Sequence, residues 1–80
     1  PMPYVPAHRR EIARTTPTEP GELNYAICML LEGYIERKGR SYTTLNDCGG
    51  ALNYANLEWY RRRVVEYEKL AMERNGDVFI

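Results

Sequence analysis

The proline-free segment of residues 43–75 is the feature that most constrains the fold. The Ser-Tyr-Thr-Thr sequence at residues 41–44 is able to supply an N-cap, and Asn75-Gly76 is a typical helix end. If helical throughout, the segment is about 50 Å long at about 1.5 Å per residue, which is long for a small chain. We therefore expect the other elements to pack along it.

This segment carries two apolar stripes at helical spacing. The first consists of Leu45, Cys48, Leu52, Ala55 and Trp59. The second consists of Leu57, Tyr60, Val64, Tyr67 and Ala71. At about 100° per residue the second stripe lies about 120° around the helix from the first. One partner helix covers one stripe, so the spacing predicts a homo-oligomer whose interface contains Leu57, Trp59, Val64 and Ala71. The alternative is a helix or arm of the same chain wrapped over the second stripe.

The remaining sequence predicts a second long helix and a short N-terminal arm. Residues 2–18 form the arm, with a short helix that begins at Pro6. Residues 19–39 follow the proline-rich turn and read as an amphipathic helix that ends at Gly39. Two long helices joined by a short connection favour an antiparallel hairpin. The sequence thus predicts one all-α domain over residues 1–80, an antiparallel helical hairpin with an N-terminal arm, closed by a short apolar tail at residues 76–80.

Two local features leave alternatives open. Gly49-Gly50 lies inside the long segment, and two glycines cost about 1 kcal/mol each relative to alanine in a helix. The pair is therefore interpreted either as a break in the helix or as a place where another backbone or a ligand approaches closely. Pro1 before Met2 resembles the remnant of a cleaved tag, with Met2 as the natural start.

Composition and charge exclude several classes of function. Eleven basic and eleven acidic residues give zero net charge, which argues against general nucleic-acid binding. The cysteines, Cys28 and Cys48, and the single histidine, His8, lack the spacing of a metal site, so neither a metal nor a cofactor is expected. Catalytic motifs are absent from the sequence, so we expect no enzyme. Without an apolar run of membrane length or a signal peptide, the sequence predicts a cytoplasmic protein with no membrane partner.

Arginines beside aromatic residues are the strongest candidate for a binding site. Arginine holds phosphate bidentately, and an aromatic ring stacks on a base. The candidate ligand-binding residues are Tyr60, Arg61, Arg62, Arg63 and Tyr67, with Arg9 and Arg10 from the arm. The alternative is that these arginines surround an interface and pair with glutamates, as Glu58 can with Arg62 four residues later. For the arm, the alternative is a solvated surface helix.

The whole chain also resembles a family of small uncharacterised proteins from bacteriophages and bacteria. The resemblance rests on GELNYAI at 21–27, the 42–52 block, EWYRR at 58–62, YE at 67–68 and NGDVF at 75–79. The family implies no established activity, so it assigns no role to any residue here. A phage setting suggests an analogy with small helical phage proteins that act as sponges for the cyclic-nucleotide signals of bacterial immunity.

Together these observations predict a non-enzymatic protein that binds an anionic, nucleotide-like ligand at a subunit interface. The alternative is an adaptor or inhibitor that binds a host protein, or a structural phage component, through an exposed apolar helix face. Charge reversal of the arginines is expected to abolish ligand binding. Leu57→Glu or Val64→Glu is expected instead to abolish binding of a protein partner.

Overall fold

The structure, a computed structural model, describes residues 4–79. Within this range it contains helices and no strand, which confirms the all-α prediction and the long helix. The elements are a 3-10 turn (Ala7–Arg9), α1 (Arg10–Ala13), α2 (Pro20–Lys38), α3 (Tyr42–Trp59), a π-helical segment (Tyr60–Val64) and α4 (Val65–Asn75). The expectations for Pro1 as a tag remnant, for positions 2 and 3 of the arm and for position 80 of the tail lie outside the described residues.

The helix ends follow the residue types that the sequence places there. α2 begins with Pro20 in its first turn, and Gly39 follows its last residue with a φ of 90°. α3 includes Gly49 and Gly50, so helical geometry continues through the position where a break was considered. The chain nevertheless divides between Cys48 and Gly49 into two compact units, which we call the N-terminal unit and the C-terminal unit. The antiparallel hairpin and the homo-oligomer remain predictions.

The N-terminal unit has a small core of short side chains. The buried apolar residues are Val5, Ala13, Ala26 and Cys48, and α1 packs against α2. Two side-chain contacts also join α2 to the beginning of α3. The Tyr34 hydroxyl donates to the Asp47 carboxylate at 3.0 Å, and this hydrogen bond raises the pKa of Tyr34. The Cys48 thiol lies 3.8 Å from the carbonyl oxygen of Leu31 as a weak donor.

A reciprocal cap between Ser41 and Thr44 starts α3, within the lead-in where the sequence predicts an N-cap. The Thr44 backbone N–H donates to the Ser41 hydroxyl at 3.1 Å, and the Ser41 backbone N–H donates to the Thr44 hydroxyl at 3.0 Å. The Thr44 hydroxyl donates in turn to the carbonyl oxygen of Gly39 at 2.8 Å. These bonds satisfy backbone groups that a helix end leaves without an intrahelical partner. The buried Thr44 side chain therefore fixes the short turn between α2 and α3.

The C-terminal unit has no buried residue among positions 49–79. It consists of the second part of α3, the π-helical segment, α4 and the tail after Gly76. Its aromatic side chains face solvent, with Trp59 60% and Tyr67 66% exposed. Isolated helices gain little stability from backbone propensity alone, because most helical stability in proteins comes from packing of an apolar face. The apolar side chains of this unit nevertheless remain largely exposed along the helix.

Candidate binding surface on the C-terminal helix

The central feature of the candidate site is the π-helical segment Tyr60–Val64, which contains all three consecutive arginines. At its end the Val65 backbone N–H donates to the carbonyl oxygen of Tyr60, five residues earlier, where an α-helix bonds four residues earlier. π-helical turns are rare in proteins overall, and those that occur are often located at functional sites. The apolar periodicity gave no prediction of this segment.

The π-helical segment changes which residues share a side of the helix. One wide turn holds about one residue more than an α turn, so the helix after it is rotated back by about 100°. This rotation nearly cancels the offset of about 120° that uniform α geometry gives between the two stripes. The downstream part of the second stripe consequently lines up with the first stripe. We call the resulting surface the Trp59 face, and within this unit it consists of Leu52, Ala55, Trp59, Tyr67 and Ala71.

This rotation corrects the second stripe that the spacing predicted. Leu57 precedes the wide turn, so it no longer shares a side of the helix with Tyr67 and Ala71. Leu57 aligns instead with Val65 and Met72. We call these three residues the Leu57 patch. Val64 is half-buried and lies at the edge of the Trp59 face. Of the predicted interface residues, Trp59, Val64 and Ala71 thus stay together and Leu57 is separated from them.

Two of the three arginines are engaged by one carboxylate. Arg61 donates to one Glu58 oxygen at 2.6 Å, and Arg62 donates to the other oxygen. The hydrogen bond from Arg61, followed by that from Arg62, lowers the pKa of Glu58. The pairing of Glu58 with Arg62 was the alternative that the sequence spacing offered. Both pairs are exposed to solvent, so they orient the side chains more than they stabilise the helix.

Arg63 differs from its two neighbours. Within residues 4–79 it forms no ion pair, and its side chain is exposed. Trp59, Arg63 and Tyr67 follow one another at intervals of four residues, and with the wide turn between them this spacing places all three on the Trp59 face. A guanidinium between two aromatic rings can bind an oxyanion while the rings stack on a planar group. Tyr60 lies to the side of this line and is half exposed, at 48%.

The arm arginines have partners within the N-terminal unit. Arg9 donates to both oxygens of Glu22, at 2.8 and 2.9 Å, and Arg10 donates to the carbonyl oxygen of Val5 at 2.8 Å. Thr18 adds its backbone N–H and its hydroxyl to the Glu22 carboxylate. The Arg9 hydrogen bond and then the Thr18 backbone bond lower the pKa of Glu22 to about 2. Both arginines thus bind the arm to its own unit, and their ligand-binding role remains a prediction.

Metal and membrane features complete the description. Residues 4–79 contain no group of three or more His, Cys, Asp or Glu side chains placed to hold a metal ion. Cys28 and Cys48 are both free thiols, half-buried and buried respectively. In the part of the chain that the structure describes, no helix is both long enough and apolar enough to cross a membrane.

Comparison with known proteins gives one match. No curated protein and no solved structure matches the chain significantly. A family model described as a domain of unknown function, DUF6899, matches residues 2–78. Because this match covers nearly the whole sequence, the chain belongs to the DUF6899 family of domains of unknown function.

Proposed function

We propose that the protein is a non-enzymatic binding protein that associates with further copies of itself through the Trp59 face and binds a small anionic, nucleotide-like ligand at the seam. The observation that carries this proposal is the position of Arg63. It is a cation without an ion-pair partner among residues 4–79, on a face that also presents Trp59 and Tyr67. An arginine binds an oxyanion such as phosphate, and neighbouring aromatic rings stack on a planar base.

A second copy is the occupant that best suits the Trp59 face. Most oligomers of soluble proteins are symmetric, and a twofold interface uses the same surface of both chains. Aromatic residues, which are enriched in interfaces, make up the centre of this face, while charged residues such as Glu58 and Arg62 lie off it. Two copies that meet on this face bring two Arg63 side chains near one another. Their mutual repulsion in a partly dry seam favours an anion between them.

The most specific form of the proposal is a sponge that sequesters cyclic-nucleotide signals of bacterial immunity in the cytoplasm of a phage host. Its support is the analogy with small helical phage proteins together with the anion-binding chemistry of Arg63. Sequestration needs binding without turnover, so the proposed mechanism requires no general base or nucleophile. The guanidiniums bind phosphate, and the rings of Trp59 and Tyr67 enclose the base.

Native mass spectrometry of protein purified without denaturation, from cells with active nucleotide signalling, tests this proposal. The wild type is expected as an oligomer carrying an added mass of nucleotide size. Arg63→Gln is expected to keep the oligomer and lose the added mass. Arg62→Gln, whose side chain pairs with Glu58, is the matched control and is expected to keep both. A monomeric wild type contradicts self-association, and an oligomer without an added mass contradicts the ligand and supports the second candidate.

The second candidate is an adaptor or inhibitor of a host protein, or a structural phage component. The Leu57 patch favours this second candidate. Leu57 and Met72 are exposed, and their patch lies on another side of the helix from the Trp59 face, so a second copy on that face leaves the patch uncovered. Leu57→Glu is expected to abolish binding to such a partner and to leave the oligomer intact. Trp59→Glu is expected to dissociate the copies. Equal effects of both substitutions on assembly contradict separate roles for the two surfaces.

A further inference from the structure

A shallow depression of about 270 Å³ lies along α2, entirely within the N-terminal unit. The apolar side chains of Ala26, Met29 and Leu30 line it, and Leu30 is 71% exposed. The guanidinium-bearing side chains of Arg14 and Arg37 also line it. The depression therefore combines an apolar lining with two cationic side chains from different elements, α2 and the turn after α1.

Both arginines of the depression are available for a ligand. The ion pairs within residues 4–79 use Arg9, Arg61 and Arg62, and neither Arg14 nor Arg37 takes part in one. Two like charges at one concave surface repel each other, and an anion placed between them removes that repulsion. The charge and the shape of the depression are thus complementary to an anion that also carries an apolar group.

Gly33 explains how Arg37 reaches the depression. A Cβ atom at position 33 would lie 3.3 Å from a terminal nitrogen (Nη1) of Arg37, so the guanidinium lies across α2 against the glycine, one turn before its own Cα. Glycine inside a helix costs about 1 kcal/mol relative to alanine, and such a residue usually has a packing or functional reason. Here the missing side chain leaves room for the Arg37 guanidinium.

We propose that this depression is a binding site for a small amphipathic oxyanion, a carboxylate or phosphate monoester attached to one ring or a short apolar chain. The oxyanion binds Arg14 and Arg37, and the apolar group covers Met29 and Leu30. The volume of about 270 Å³ lies just below the range of roughly 300–1,000 Å³ typical of ligand pockets, which limits the ligand to a small one. The site is independent of the proposed function, because all its residues belong to the N-terminal unit.

The test is a nuclear magnetic resonance titration of the full chain with four probes. Phenyl phosphate and benzoate carry both groups, inorganic phosphate carries the anion alone, and benzyl alcohol carries the ring alone. At least one of the first two is expected to shift the backbone signals of Met29, Gly33 and Arg37 and to bind about tenfold or more tightly than the last two. Comparison of phenyl phosphate with benzoate identifies which oxyanion the site prefers.

Three variants and one control separate the site from general surface charge. Arg14→Gln and Arg37→Gln are each expected to weaken binding of the preferred probe about tenfold or more. Lys38→Gln removes the neighbouring charge outside the depression and is expected to leave binding unchanged. Gly33→Ala is expected to weaken binding while keeping or raising helix stability, because the new methyl group displaces the Arg37 guanidinium. Absence of shifts with both amphipathic probes, or equal weakening by Lys38→Gln and Arg37→Gln, overturns the proposal.

Discussion

The Arg9 guanidinium donates two hydrogen bonds to the Glu22 carboxylate, across thirteen residues of chain. This bidentate pair joins the 3-10 turn to the first turn of α2, and Thr18, which lies between them in sequence, donates to the same carboxylate. Bidentate arginine–carboxylate pairs fix orientation better than single-contact ion pairs do. One carboxylate consequently connects three segments of the N-terminal unit.

Glu22→Gln is expected to lower the melting temperature of the protein. The amide keeps the shape of the side chain, but it has no charge and offers one acceptor oxygen to the donors of Arg9 and Thr18. Thermal unfolding followed by circular dichroism measures the change. Glu19→Gln is the matched control, since Glu19 is exposed and forms no side-chain cap bond, and it is expected to leave the melting temperature unchanged. Equal losses in both variants contradict the role of the Arg9–Glu22 pair.

The stability of the protein is expected to fall in acid because of Glu22. Its pKa is about 2 in the folded chain against an ordinary value of 4.5, so the folded state binds fewer protons than the unfolded state between these values. The stabilisation is complete above about pH 4.5 and is lost as the pH falls through about 2. Melting temperatures measured across this range check the expectation. Glu22→Gln is expected to show a smaller decrease, and an unchanged decrease contradicts it.

Thr44→Val is expected to destabilise the start of α3. The substitution keeps the size of the side chain and removes the hydroxyl that bonds to Ser41 and Gly39. Loss of a helix cap costs about 1 kcal/mol, or roughly 4–8 °C in melting temperature for a domain of this size. Thr43→Val changes an exposed neighbour in the same turn and serves as the control. A Thr44→Val protein as stable as that control shows that the reciprocal cap contributes little.

Deletion of Arg62 is expected to preserve self-association. With one residue fewer, the wide turn can close to α geometry, and because the wide turn had absorbed one extra residue, Tyr67 and Ala71 keep their alignment with Trp59. Sedimentation velocity measures assembly, and circular dichroism verifies that the chain remains helical. Arg62→Ala removes the same side chain without shortening the helix, and it is expected to assemble like the wild type. Loss of assembly in the deletion variant, while Arg62→Ala assembles normally, contradicts the proposed alignment of Trp59 with Tyr67 across the wide turn.

The helical architecture was predictable from local signals. Pro17 and Pro20 mark the turn from the arm into α2, Gly39 ends that helix, and the lead-in at residues 41–44 supplies the cap of the next. Each of these signals acts through residues within about four positions of one another, which is why a sequence alone reveals them. The partner of Glu22 was not predictable in this way, because Arg9 reaches it through tertiary structure. The sequence indicated only that an acidic residue suits the first turn of a helix.

The wide turn was missed because the apolar periodicity was read with the same angle for every residue. A signal was nevertheless present in the sequence. The first apolar stripe ends at Trp59, and the second continues through Tyr67 and Ala71 at a different angle around an ideal α-helix. One extra residue in a wide turn explains this change of angle as well as two separate faces do. For Arg14 and Arg37 no such signal exists, because their meeting depends on how α1 packs against α2.

Under the proposed function, the turn at Tyr60–Val64 also makes helix winding and binding dependent on each other. A ligand or a second copy that contacts both Trp59 and Tyr67 has high affinity only for chains in which the turn is wide, so binding raises the population of that winding. By the same linkage, any change that favours α winding at these five residues weakens binding in proportion to the fall in the fraction of chains with a wide turn. Under the proposed function, the fraction of chains with a wide turn therefore sets the affinity of the Trp59 face.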